Sequence, residues 1–107
     1  MHPYHHALSS AKKYGGKPED YYPFHSVMDS SKFHEPTFKH RVIFHTSLGI
    51  YLAQQVFGFE VVNNSDGKQV PVTYLAEQHI FEDLGFIPSL SEALKDINIL
   101  SGRGERK

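Results

Sequence analysis

The chain has no cysteine and no tryptophan. Without thiols there are no disulfides, thiolate zinc fingers, iron–sulfur clusters or cysteine nucleophiles. A long apolar run is also missing: nothing approaches the roughly 18–20 residues that span a bilayer. The opening Met1-His2-Pro3-Tyr4-His5-His6 has no apolar segment of a secretory leader. Excess charge of one sign is absent too, with 11 Lys and Arg against 12 Asp and Glu and a formal net charge of −1. Neither duplex nucleic acid nor an acidic membrane is therefore an expected partner, and a cytoplasmic location is expected. What remains is 107 residues, 39% hydrophobic and 21% charged, with no internal repeat. This predicts one compact domain over residues 1–100 and a disordered basic tail over 101–107. Histidine is unusually frequent: there are eight.

The spacing predicts a first helix over Tyr4 to Tyr14, with Leu8 and Ala11 inward and Gly15-Gly16 as its stop. Proline fits inside a helix only in the first turn, so Pro23 places the second helix from near Tyr22 to Lys32. Pro36 opens a third helix that runs without a breaker to Phe57 and Gly58. Phe59 to Val62 and Gln69 to Val72 flank a polar turn with Gly67 as its positive-φ residue, a β-hairpin whose second strand Pro71 confines to an edge. Val72 to Leu84 is helical up to Gly85. Ser89-Leu90-Ser91-Glu92 has capping-box spacing and opens a short helix to about Ile97. The expected fold is α+β and mainly α-helical, with about four to five helices and one small β-hairpin.

Projected at about 100° per residue, a straight helix from Pro36 to Phe57 puts Phe38, Val42, Gly49, Leu52, Ala53 and Val56 on a core stripe. His45 falls inside that stripe and His40 nearly opposite. Gly49 leaves room for a backbone or ligand beside His45. On the helix from Val72, His79 and Asp83 are helical neighbours facing the core, with Glu82 at the edge. A buried carboxylate needs a cation, a proton or several donors. Imidazoles and carboxylates are the ligands that a cysteine-free protein offers zinc, manganese or iron. The predicted metal ligands are His45, His79 and Asp83, with His34 or His40 as a fourth. Glu82 is the candidate catalytic base for a metal-bound water. A metal-free polar network of the same side chains is the competing expectation. His25, Asp29 and Lys32 form a second polar stripe, read as solvated surface with an Asp29–Lys32 ion pair. His2, His5 and His6 lie near the terminus, where adventitious metal affinity is expected. Gly15-Gly16-Lys17 is no P-loop, Asp66-Gly67 no calcium loop, and no His-Glu-x-x-His is present.

The chain resembles a family of small proteins of bacteria and tailed bacteriophages with no assigned activity. The resemblance rests on Gly15 to Tyr21, on His25, Asp29, Lys32 and His34, and on His40-Arg41, His45 and Gly49-Ile50. It continues through Asn64 to Lys68, Glu77-Gln78-His79, Glu82-Asp83, Gly85 and Ile87-Pro88, and spans about Leu8 to Leu94. Phe44 departs from the polar or basic residue common at that place, which weakens a role for the His40 face. The resemblance implies a mainly helical α+β domain, a phage source and then the host cytoplasm. Three functions follow as expectations. The first is a small metal-binding protein, hydrolytic if a coordination position stays open. The second is a phage-encoded module that sequesters a nucleotide signal or inhibits a host defence protein, using Lys32, Arg41 and His40 with Tyr21, Tyr22 and Tyr51 as stacking surfaces. The third is a structural protein, with Ile43, Ile50 and Phe57 as a homo-oligomer contact.

Overall fold

The computed structural model describes residues 1–102. Six α-helices and a two-stranded antiparallel sheet make a mainly helical α+β fold. Helix α1 (Pro3–Tyr14) begins with proline at its first position, where the missing N–H costs nothing, and with His2 Nδ1 accepting from the Tyr4 amide. Its buried face is Pro3, His6, Ala7 and Ser10. Leu8, expected inside, is 42% exposed, because the inward stripe is rotated by one residue.

Helix α2 (Pro18–Met28) starts and ends about four residues earlier than predicted. Pro18 and the Asp20 carboxylate, which accepts from the Lys17 amide at 2.7 Å, supply the start. Pro23 is thus carried in the second turn, with the loss of one backbone hydrogen bond. A 3₁₀ turn over Ser30–Phe33 follows.

The predicted long third helix is broken. A 3₁₀ turn, Phe38–His40, leads into α3 (Arg41–Phe44); the chain then bends through His45 and the extended Thr46 before α4 (Ser47–Phe57). The Ser47 amide donates to the Pro88 carbonyl at 2.8 Å instead of continuing a helix. At the bend, a Cβ on Gly49 would lie 2.1 Å from the Phe44 carbonyl oxygen, so the neighbour that this glycine admits is backbone.

Strands β1 (Glu60–Val62) and β2 (Gln69–Pro71) pair with Val61 opposite Val70, and Gly67 in their turn has φ 73°. The tip of the hairpin is fastened to the start of α2: Asp20 accepts from the Ser65 amide at 3.1 Å and from its hydroxyl. The Tyr21 hydroxyl donates to the Gly15 carbonyl and accepts from Asn63. Pro71 ends β2 and leads directly into α5 (Val72–Leu84), which Gly85 closes in the left-handed conformation. The Ser89–Glu92 capping box opens α6 (Leu90–Lys95), two residues shorter than expected. A 3₁₀ helix, Ile97–Ser101, follows. Ser101, the first residue of the predicted tail, ends this helix, and residues 103–107 lie outside the described residues.

The apolar core gathers Ala7, Tyr21, Phe24, Met28, Ala53, Val70, Val72, Leu75, Ala76 and Ile80 from α1–α2, α4–α5 and strand β2. Of the three residues expected on an outer face, Ile50 and Phe57 are partly buried against this core and Ile43 is 42% exposed. Val56, expected in the core, is 59% exposed, because the bend reorients α4 relative to a straight helix. No helix among the described residues is long and apolar enough to cross a membrane.

Candidate metal centre

Five polar side chains from four segments meet beside the apolar core: His6 of α1, Asp29 at the end of α2, His45 at the bend, and His79 with Asp83 on α5. All three histidines are fully buried, and the side chains of Asp29 and Asp83 nearly so. His45 Nε2 lies 2.8 Å from Asp83 Oδ2 and 3.6 Å from Asp29 Oδ1. His79 Nε2 lies 3.1 Å from Asp29 Oδ1 and 3.6 Å from Asp83 Oδ2. Two ring nitrogens therefore face the same two carboxylate oxygens, and these four groups could hold a metal ion. Tetrahedral zinc with bonds near 2 Å sets its ligand atoms about 3.3 Å apart, which these separations bracket.

The proton positions around His79 follow from its neighbours. Ser10 Oγ is 3.1 Å from two acceptors, the His6 carbonyl oxygen and Gln78 Oε1. Gln78 is oriented by its Nε2, which donates to Glu82 Oε1 and the His6 carbonyl. The one serine proton goes toward these acceptors, so Ser10 Oγ accepts from His25 Nε2 at 2.7 Å. Burial, with His79 and His6 nearby, holds the His25 pKa down at about 2, so its ring is neutral and its Nδ1 can only accept. The 2.8 Å contact between His25 Nδ1 and His79 Nδ1 then requires the proton on His79 Nδ1. Burial also lowers His79, to about 4 against the opposing pull of Asp29, so this ring too is neutral. Its Nε2 is left as a bare lone pair aimed at two carboxylates, an arrangement that a cation between them makes favourable. Asp29 Oδ2 is buried without a hydrogen-bond partner among the described residues.

His6 occupies the flank of the centre. Its Nδ1 is 2.7 Å from Glu82 Oε1, and its Nε2 is 3.2 Å from Asp83 Oδ1. Burial opposes its protonation, but the two carboxylates outweigh it and raise its pKa. The His6 ring stacks on His79 with centroids 3.8 Å apart and planes 26° apart. Lone pairs lie in the ring planes, so His6, His25 and His79, although close, do not converge on one ion as the Asp29 set does. Asp83 also receives the Met1 nitrogen at 3.1 Å and Arg41 Nη2 at 3.9 Å. Burial would raise its pKa, but the surrounding donors, chiefly His45 and His6, hold it well below the carboxylate range.

Of the residues singled out in the sequence, the structure brings His45, His79 and Asp83 together. Asp29 and His25, read as solvated surface, are buried, and Asp29 faces His79 and His45 rather than Lys32, which is exposed. His34 is exposed, away from the centre, in the turn before Pro36. His40 is half-buried; its ring is 6.1 Å from that of His45, and its Nδ1 meets Ser31. The 3₁₀ turn that holds His40 removes the opposition expected of a straight helix, yet His40 stays outside the ligand group. Glu82 touches Ser9, Gln78 and His6 and reaches the centre only through His6. His6 and Ser10 were missed as site residues; their buried α1 stripe, His6 with Ser10 one turn on, was the available signal. Tyr21 is buried with its hydroxyl engaged, so it offers no stacking surface. Arg41 is committed to the Leu100 carbonyl at 2.9 Å.

A family model described as a domain of unknown function (DUF6915) matches residues 1–101. No curated protein and no solved structure matches the chain.

Proposed function

The chain belongs to the DUF6915 family, and since no activity comes with that membership, we propose from the site itself that the protein binds one divalent transition-metal ion, with zinc the best fit. The ligands are His45 Nε2, His79 Nε2 and the carboxylates of Asp29 and Asp83. The single observation that carries this reading is the position of His79 Nε2, 3.1 Å and 3.6 Å from two carboxylate oxygens, while its Nδ1 is engaged by the Ser10–His25 relay. A network without a metal needs a proton at that nitrogen, which takes either an imidazolium at His79, disfavoured by its burial, or a reversed relay that leaves Ser10 Oγ against two acceptors with no proton to share.

Asp29 takes the fourth ligand place expected of His34 or His40, and all four side chains are buried. Four protein ligands in a closed pocket favour a structural centre over a hydrolytic one, which keeps a position for water. The ion would tie the end of α2, the α3–α4 bend and α5 together. Untagged protein purified without chelator should contain one equivalent of metal, read by elemental analysis. Asp29→Asn, which conserves shape, and His79→Ala should each lose it while far-ultraviolet circular dichroism stays near that of the parent. If the ion is present at about 100 times its Kd, removing it costs about 2.7 kcal/mol, a fall in Tm of roughly 10–20 °C. Metal-free protein whose melting is indifferent to chelator would overturn the reading.

A further inference from the structure

A second feature lies on the other side of Glu82. A cleft of about 460 Å³ runs between the last turn of α1 and the outer face of α5, large enough for a small organic molecule. Three aromatic rings border it: Tyr14 from α1, and Tyr74 and Phe81 spaced by seven residues along α5. Tyr74 and Phe81 are 55% and 59% exposed. Two carboxylates share the cleft, Glu77 between the exposed rings and Glu82 deeper. Glu82 is occupied by His6, Ser9 and Gln78, whereas the Glu77 carboxylate has no hydrogen bond or salt bridge among the described residues. The one cation in the lining, Lys13, is exposed and keeps its ammonium in water.

We propose that this cleft is a binding site for an organic ammonium ion with apolar arms. Aromatic faces carry negative charge density and attract a cation held over them. An anionic ligand would meet Glu77 and Glu82. A neutral apolar ligand would strip water from Glu77 and return nothing to it. An alkylated ammonium satisfies both features at once, with its apolar arms against Tyr14, Tyr74 and Phe81 and its charge toward Glu77. The site shares no residue with the proposed metal ligands, so it stands or falls separately.

The test uses the full chain and two probes of nearly equal shape, choline and its neutral isostere 3,3-dimethylbutan-1-ol. Binding is followed by chemical-shift changes of the tyrosine and phenylalanine rings, with metal content measured alongside. Choline should bind saturably, and the neutral isostere about fivefold more weakly or less well still. Glu77→Gln, on the exposed face of α5, should remove that preference, and Tyr74→Ala should weaken choline itself, both with metal content unchanged. Equal binding of the two probes, no saturation with choline, or a preference that survives in Glu77→Gln would overturn the proposal.

Discussion

One serine proton decides how the buried cluster is wired. Ser10 Oγ stands among His25 Nε2, Gln78 Oε1 and the His6 carbonyl, and its acceptance from His25 fixes both imidazoles that follow. Ser10→Ala therefore does more than delete a hydroxyl: it leaves a buried ring N–H without an acceptor, at a cost of about 1–3 kcal/mol. It also frees His79 from its enforced tautomer, and the loss of such a supporting partner typically lowers metal affinity about tenfold or more. Competition with a chromogenic chelator should show this loss in Ser10→Ala and its recovery in Ser10→Thr, which keeps the oxygen. Unchanged affinity in Ser10→Ala would show that the relay does not set the donor atom.

Among the elements, the α3–α4 bend does the most to build the centre. An unbroken helix would carry His40 and His45 on opposite faces; the 3₁₀ turn at Phe38–His40 and the non-helical backbone at His45 leave their rings 6.1 Å apart. Gly49 makes the bend possible by approaching the Phe44 carbonyl more closely than any side chain allows. Gly49→Ala should cost about 3 kcal/mol, read as a lowered midpoint in urea, because the clash is with backbone. Much of this architecture was legible in the sequence. Helices α1 and α5, the hairpin with its Gly67 turn, and the Ser89 capping box follow from local signals alone. The bend was not legible, since no proline or glycine marks Thr46 and its cause is the distant Pro88 carbonyl. For the same reason His45, His79 and Asp83 could be named as core-facing residues, whereas Asp29 and His25 read as a charged surface stripe. Their burial depends on where α2 packs, which its own periodicity does not encode.

For the molecule as a whole, the buried histidines set the response to acid. In chelator-treated protein, His79 is held at about 4 and His25 at about 2, both by burial, against about 6.5 in an unfolded chain. The unfolded state therefore binds more protons than the folded one as pH falls from about 6.5 toward 4, and stability falls with it. With two rings involved the slope approaches about 3 kcal/mol per pH unit in that window, and His25 continues it below pH 4. His6 has the opposite sign: its raised pKa contributes stability that is complete at low pH and fades as pH rises through the folded value. The carboxylates of Asp29 and Asp83, with lowered pKa values, add stability above about pH 4 that is lost on further acidification. Urea midpoints measured between pH 7 and pH 4 should fall steeply, and a flat profile would mean that the rings are not buried neutral.

The fastening of the hairpin tip to Asp20 bears on where foreign peptides can be grafted. A solvent-facing turn such as Asn64–Lys68 is the usual choice for inserting an epitope. Here its Ser65 backbone amide and hydroxyl both belong to Asp20, which also caps α2 through the Lys17 amide. A graft at that tip would unclip the start of a helix whose far end carries Asp29. The exposed stretch around His34 and Pro36 lies between short 3₁₀ turns and is the better point of insertion.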